Sequence, residues 1–95
     1  MGEKIGVPNL KDGHEILRKG SDFNKIVKHG CYYYAEDPDI TNKPNSETIG
    51  ALLVIRYVTA WTTILQICVT YPSVSIFIRA GWNGAVFWGP WGKIA

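Results

Sequence analysis

Acid–base, metal and nucleophilic chemistry needs His, Cys, Asp, Glu or an activated hydroxyl at particular spacings. This chain scatters those residues. Its two histidines, His14 and His29, have no carboxylate or cysteine at metal or triad spacing. The carboxylates crowd into the N-terminal third and the loop over residues 36–47. There Asp37 and Asp39 could face a cation, but no Asp-x-Asp-x-Asp-Gly pattern surrounds them, and solvated loop charges are the simpler reading. No Ser or Thr stands in a nucleophile elbow, and no Gly-rich phosphate loop precedes a helix. Cys31 and Cys68 make no disulfide framework, which leaves both a single bridge and two free thiols open. The expectation is a chain with no catalytic residues, no metal and no cofactor.

Binding is what remains. Tyr32, Tyr33, Tyr34, Trp61, Trp82, Trp88 and Trp91 exceed what so small a core can absorb, because each aromatic buries on the order of 150–250 Å². Some must therefore lie on the surface or between subunits. Their faces stack on the C–H edges of sugar rings while Asn, Asp, Arg and Gln meet the hydroxyls. The same residue types are enriched at protein interfaces, so both readings stand.

The elements that position these aromatics can be read from periodicity. Residues 76–91, IFIRAGWNGAVFWGPW, contain an Asn-Gly pair flanked by strand-like residues, the strongest short hairpin signal. With Asn83 and Gly84 as the turn, Trp82 faces Ala85, Ala80 faces Phe87 and Arg79 faces Trp88, setting a guanidinium beside an indole. Upstream, Ser21 or Asp22 caps a short helix over residues 22–29 that buries Phe23, Ile26 and Val27, with Gly30 as its stop. Strands are expected over 31–35, 51–58, 62–70, 74–82 and 85–88, and a loop over 36–47.

Leu65, Ile67 and Val69 form one apolar face of their strand, and Val74, Ile76 and Ile78 form one of the next. These coincide if Val69 pairs with Ile76 and Ile67 with Ile78. Leu53, Ile55 and Tyr57 then join the core face. Arg56, Gln66 and Arg79 make a polar row on the opposite face, ending at Trp88. Such a row is solvent-facing polarity, a structural hydrogen-bond network or a ligand site.

Ninety-five residues make one domain. A net charge of +2 without a Lys/Arg cluster argues against nucleic acid. Residues 1–50 hold seven basic and eight acidic side chains, whereas residues 51–95 carry only Arg56, Arg79 and Lys93. The second half thus builds the core or is buried against another chain. The apolar run over residues 49–70 approaches the ~20 residues of a spanning helix, but a central Arg56 and its β-branched content argue against membrane insertion. MGEKIGVPNL has no apolar core for a secretion signal. Residues 1–20 read as a linker or lead-in arm and 21–95 as the domain.

The order of several short motifs adds to this. Asp22-Phe23-Asn24 is followed by Gly30-Cys31-Tyr32-Tyr33, Thr41-Asn42-Lys43-Pro44 and Gly50-Ala51-Leu52-Leu53-Val54. Then come Gln66, Ile76-Phe77-Ile78-Arg79 and Trp88-Gly89-Pro90-Trp91-Gly92-Lys93-Ile94. The set resembles the knob-type domain of phage tail fibres and R-type pyocins over most of the chain. The resemblance implies a small, mainly β domain, an antiparallel sandwich or barrel-like meander with one short N-terminal helix. It implies placement in a virion tail made in the host cytoplasm, assembly as a homo-trimer within a longer tail protein, and contact with bacterial surface saccharide. Two alternatives accompany it: a trimerisation or folding cap without a ligand, and an accessory domain of a tail-associated hydrolase. If Gln66, Arg79, Trp88 and Trp91 belong to the shared scaffold together with Arg56, ligand contact falls to Tyr34, Asp37, Asp39, Asn42 and Trp82.

Overall fold

A computed structural model describes residues 14–35, 39–58, 60–84 and 87–95. The chain is mainly β, with strands β1 (His14–Ile16), β2 (Gly30–Ala35), β3 (Ile49–Val58), β4 (Thr62–Tyr71), β5 (Ser75–Trp82), β6 (Phe87–Trp88) and β7 (Gly92–Lys93). They form one open, mixed sheet in the order β1-β2-β3-β4-β5-β6, with β7 also on β5. Consecutive strands from β2 to β6 pair antiparallel, while β1 lies parallel to β2. The parallel edge belongs to the stretch expected as a lead-in arm. From His14 onward that stretch is part of the domain, and Leu17 is buried in its core.

β4 and β5 meet in the expected register, Val69 opposite Ile76, Ile67 opposite Ile78 and Gln66 opposite Arg79. The face that carries the core is the other one. Tyr32, Tyr34, Leu52, Val54, Ile64, Gln66, Cys68, Thr70, Ser75 and Arg79 are buried, whereas Leu53, Tyr57, Val69 and Tyr71 are exposed. The inversion follows from where the covering segments lie. Leu17, Phe23 and Ile40 join the buried cluster on the Gln66 side, and Ile26, Val27, Phe77, Trp88 and Trp91 pack against it. Alternation in β4 and β5 points to the opposite choice, because Leu65, Ile67, Val69, Ile76 and Ile78 make the uncovered face the more aliphatic one, while Gln66, Thr70, Ser75 and Arg79 stand on the covered side.

The expected helix over 22–29 is a single 3-10 turn, Phe23–Lys25. Asp22 caps it, its carboxylate accepting from the Asn24 backbone N–H at 2.9 Å. The turn ends at Ile26, whose backbone leaves the helical region at φ -92° and ψ 89°, and the carbonyls of Phe23 and Ile26 accept the Gln66 side-chain amide at 2.7 and 2.9 Å. An α-helix would have used those carbonyls for its own N–H groups four residues on.

The hairpin also differs in register. Asn83 and Gly84 both take positive φ, 58° and 67°, as the Asn-Gly pair predicts. Yet Trp82 pairs with Phe87 and Gly81 with Trp88, two residues away from the two-residue-turn register. The Trp88 indole fills the space over Gly81, where a Cβ would sit 2.8 Å from its ring. Any other residue at position 81 would push that ring away.

Candidate functional site

The expected polar row is a buried node. Gln66 is fully buried and Arg79 almost so. The Arg79 Nε–H donates to Gln66 Oε1 at 2.8 Å, and the Gln66 amide passes on to the Phe23 and Ile26 carbonyls. The Arg79 guanidinium lies 4.0 Å from the Trp88 ring centroid and 4.6 Å from that of Trp91, a cation held between two indoles. Trp88 Nε1 donates to the Asn24 carbonyl at 3.3 Å and Trp91 Nε1 to the Asn42 carbonyl at 3.1 Å. Burial lowers the Arg79 pKa to about 10, which leaves it charged at neutral pH. The node thus joins β4, β5, the 3-10 turn and the C-terminal segment.

Arg56 does not take part. Register sets Val54, not Arg56, opposite Gln66, and Arg56 lies two pairs further along, opposite Ile64. Its side chain is exposed at the sheet's end.

The residues expected to touch ligand are not gathered in one place. Tyr34 is buried against Phe23, ring centroids 5.8 Å apart, and its hydroxyl lies 3.6 Å from the Cys68 sulfur. It is a core residue, because its position in β2 points to the covered face. Burial raises the pKa of both Tyr34 and Cys68. Asp37 lies outside the described residues. Asp39 is exposed and 3.4 Å from Lys19, a solvated pair of little energetic weight.

Asn42 holds two loops together. Its amide donates to Asp22 at 2.7 Å, and it adopts φ 65°, which Asn tolerates better than most residues. Asp22 shows the effect of this tie. Burial would raise its pKa, but the bonds from Asn42 and the Asn24 backbone and the charge of Lys25 bring the net shift down. Cys31 and Cys68 are free; register puts Cys31 opposite Leu53 and Cys68 opposite Leu52, on opposite faces of the sheet, so no bridge joins them.

Trp82 differs from the rest of the set. It is 47% exposed and forms one side of a cleft of about 430 Å³ lined by Trp61, Thr63, Trp82, Asn83 and Phe87. Thr63, Trp82 and Phe87 are cross-strand neighbours on β4, β5 and β6. The Trp82 and Phe87 rings stack 6.2 Å apart at 24°. Trp61, 65% exposed, supplies a further ring just before β4. Sequence reasoning missed Trp61 and Phe87 as partners of Trp82. The β4–β5 register, extended to the strand ends, already set Trp82 opposite Thr63 and therefore near Trp61.

Among the described residues the cleft offers apolar π faces, the Thr63 hydroxyl and the Asn83 carboxamide. Such a surface can stack on an uncharged ring and meet a few hydroxyls; among the described residues that line it none transfers a proton at neutral pH. Among the described residues no group of three or more His, Cys, Asp or Glu gathers as a metal site, and no helix is long and apolar enough to cross a membrane. A scan against protein-family models, a search of curated proteins and a search of solved structures each returned no match.

Proposed function

We propose that this chain is a binding module of a phage or prophage tail, contacting bacterial surface saccharide through the cleft between Trp61, Trp82 and Phe87. The observation that carries the reading is that cleft: three exposed aromatics beside Thr63 and Asn83, at the tip of a hairpin. Stacked and angled rings suit the C–H faces of pyranoses, and the neighbouring hydroxyl and amide suit their oxygen atoms. The ordered motifs between Asp22 and Ile94 support the tail setting, in which a rigid β scaffold carries weak sugar contacts that several copies multiply by avidity. The module acts by binding and has no catalytic role. It belongs to the virion tail and is made in the host cytoplasm.

A glycan array probed with the whole chain, and with Trp61→Ala beside it, tests this. The expected result is binding to a defined subset of bacterial glycans, weakened about tenfold or more by the substitution, a change of about 1.4 kcal/mol. No binding to any glycan would favour a ligand-free folding cap.

A further inference from the structure

The cleft is one part of a longer row. Register sets Tyr57 of β3 opposite Thr63 of β4, Thr63 opposite Trp82 of β5, and Trp82 opposite Phe87 of β6. Directly paired residues stand on the same side of a sheet, so these four side chains cross it in one line, on the face away from the buried cluster. Tyr57 is 44% exposed and Phe87 52%, which leaves a ring standing at each end of the line.

The spacing of the row is that of strands. Neighbouring strands lie about 4.8 Å apart, so Tyr57 stands roughly 10 Å from Trp82 and the row measures roughly 14 Å in all. Thr63, short and half-buried, makes a dip with a hydroxyl between the two outer platforms. A linked pyranose advances along its chain by about one strand spacing. Consecutive rings of a linear glycan therefore fall on Tyr57, over Thr63 and on Trp82, where Phe87 backs the indole.

Both ends of the row are open among the described strands. β2 accompanies β3 only as far as Val54, so no described strand lies outside Tyr57, and β6 closes the strand order on the other side. A glycan lying on the row can continue past either end, whereas a site for a chain terminus needs a wall. Charge is missing as well. Residues 57–63 and 82–88, which carry the whole row and the cleft, contain no Asp, Glu, Lys, Arg or His. Arg56, next to Tyr57, alternates to the opposite face, where it pairs with buried Ile64. No cation of the row is on hand to meet a sugar carboxylate or phosphate.

Building on the saccharide reading of the cleft, we infer that the row binds the interior of a linear, uncharged glycan, about three consecutive rings at a time, with Tyr57 as the far platform. Tyr57 separates this mode from the capture of a single sugar between Trp61 and Trp82.

Isothermal titration of the whole chain with neutral oligosaccharide fractions of one, three and six rings, cut from bacterial wall polysaccharide, tests it. Affinity is expected to rise about tenfold from one ring to three and to change little from three to six. In Tyr57→Ala the ratio of three-ring to one-ring affinity is expected to fall about fivefold, and in Tyr57→Phe, which keeps the ring, to hold. A merely structural role for Tyr57 would move every length alike and leave that ratio intact, and this result overturns the assignment. One ring binding as tightly as three overturns it too, in a wild-type series that depends on no variant folding. The six-ring fraction is expected to bind equally well with both ends capped by bulky groups, and loss on capping contradicts interior binding. Acidic fractions that bind more tightly than neutral ones of equal length contradict the uncharged class. Each of these failures leaves saccharide binding at the cleft standing. Absence of binding at every length and charge instead removes the saccharide reading, and the row with it.

Discussion

At the scale of single residues, the chain's chemistry is that of a held cation. Arg79 is buried because Gln66 meets its Nε–H and two indoles face its plane. Truncating Gln66 to Ala leaves that charge without its acceptor and removes the side-chain amide donor from the Phe23 and Ile26 carbonyls, of which Phe23 keeps the Ile26 N–H. The expected loss is about 3 kcal/mol in urea unfolding, whereas the double substitution Gln66→Leu with Arg79→Leu is expected to cost less than the single one. The buried phenol of Tyr34 gives a pH dependence. Its pKa is raised in the fold, so the stability it contributes is complete below its ordinary value of 10.0 and is lost as pH rises beyond it. Cys68 acts in the same direction from 9.0 and Tyr32 from 10.0, while Arg79, shifted down, acts in the opposite sense over the alkaline range. The stability difference between wild type and Tyr34→Phe is therefore expected to shrink between about pH 9 and 11, read from urea midpoints at each pH. The meeting of Gln66 and Arg79 was legible from strand register, whereas Trp88 pairs with Gly81 and reaches Arg79 through its ring, not through the hairpin register the Asn-Gly pair suggested. The burial of Tyr34 was not legible, because three consecutive tyrosines give no sign of which two point inward.

At the scale of elements, the hairpin and the 3-10 turn show local signals redirected by tertiary contacts. Asn83-Gly84 fixes where β5 turns, but the Trp88 ring, lodged over Gly81, decides which residues of the return strand pair. Gly81→Val removes that space and is expected to destabilise by about 2–4 kcal/mol, with a loss of near-ultraviolet tryptophan dichroism. Full stability in that variant would show that the ring is free to lie elsewhere. In the same way, capping signals at Asp22 began a helix that ends after one turn, where the carbonyls of Phe23 and Ile26 meet the Gln66 amide. Sequence periodicity gives the strands and their pairing to within two residues. It says nothing of a side-chain amide reaching 40 residues back along the chain to claim backbone acceptors.

For the whole molecule, the sheet divides labour between its faces. One face takes the covering segments and a polar node that pins them. The other is aliphatic at its centre, with an aromatic cleft at one end. In β4 and β5 the more aliphatic face is the uncovered one, so which face formed the core depended on where Leu17, Phe23 and Ile40 landed and not on the alternation. That is long-range information absent from any single strand. The same two-sided apolarity explains how so short a chain can keep charge almost entirely out of its second half. Function follows from what the core leaves outside. Trp88 and Trp91 are tied to backbone carbonyls and to Arg79, whereas Trp61 and Trp82 stand at the cleft.

The saccharide-binding claim meets its most direct test in isothermal titration of the whole chain with bacterial wall polysaccharide, comparing wild type with Trp82→Ala. The expected result is saturable micromolar-to-millimolar binding that weakens about tenfold in the variant while its urea midpoint stays within about 1 kcal/mol of wild type. Equal affinity in wild type and Trp82→Ala, or binding lost only because the variant unfolds, would contradict the assignment of the cleft as the site.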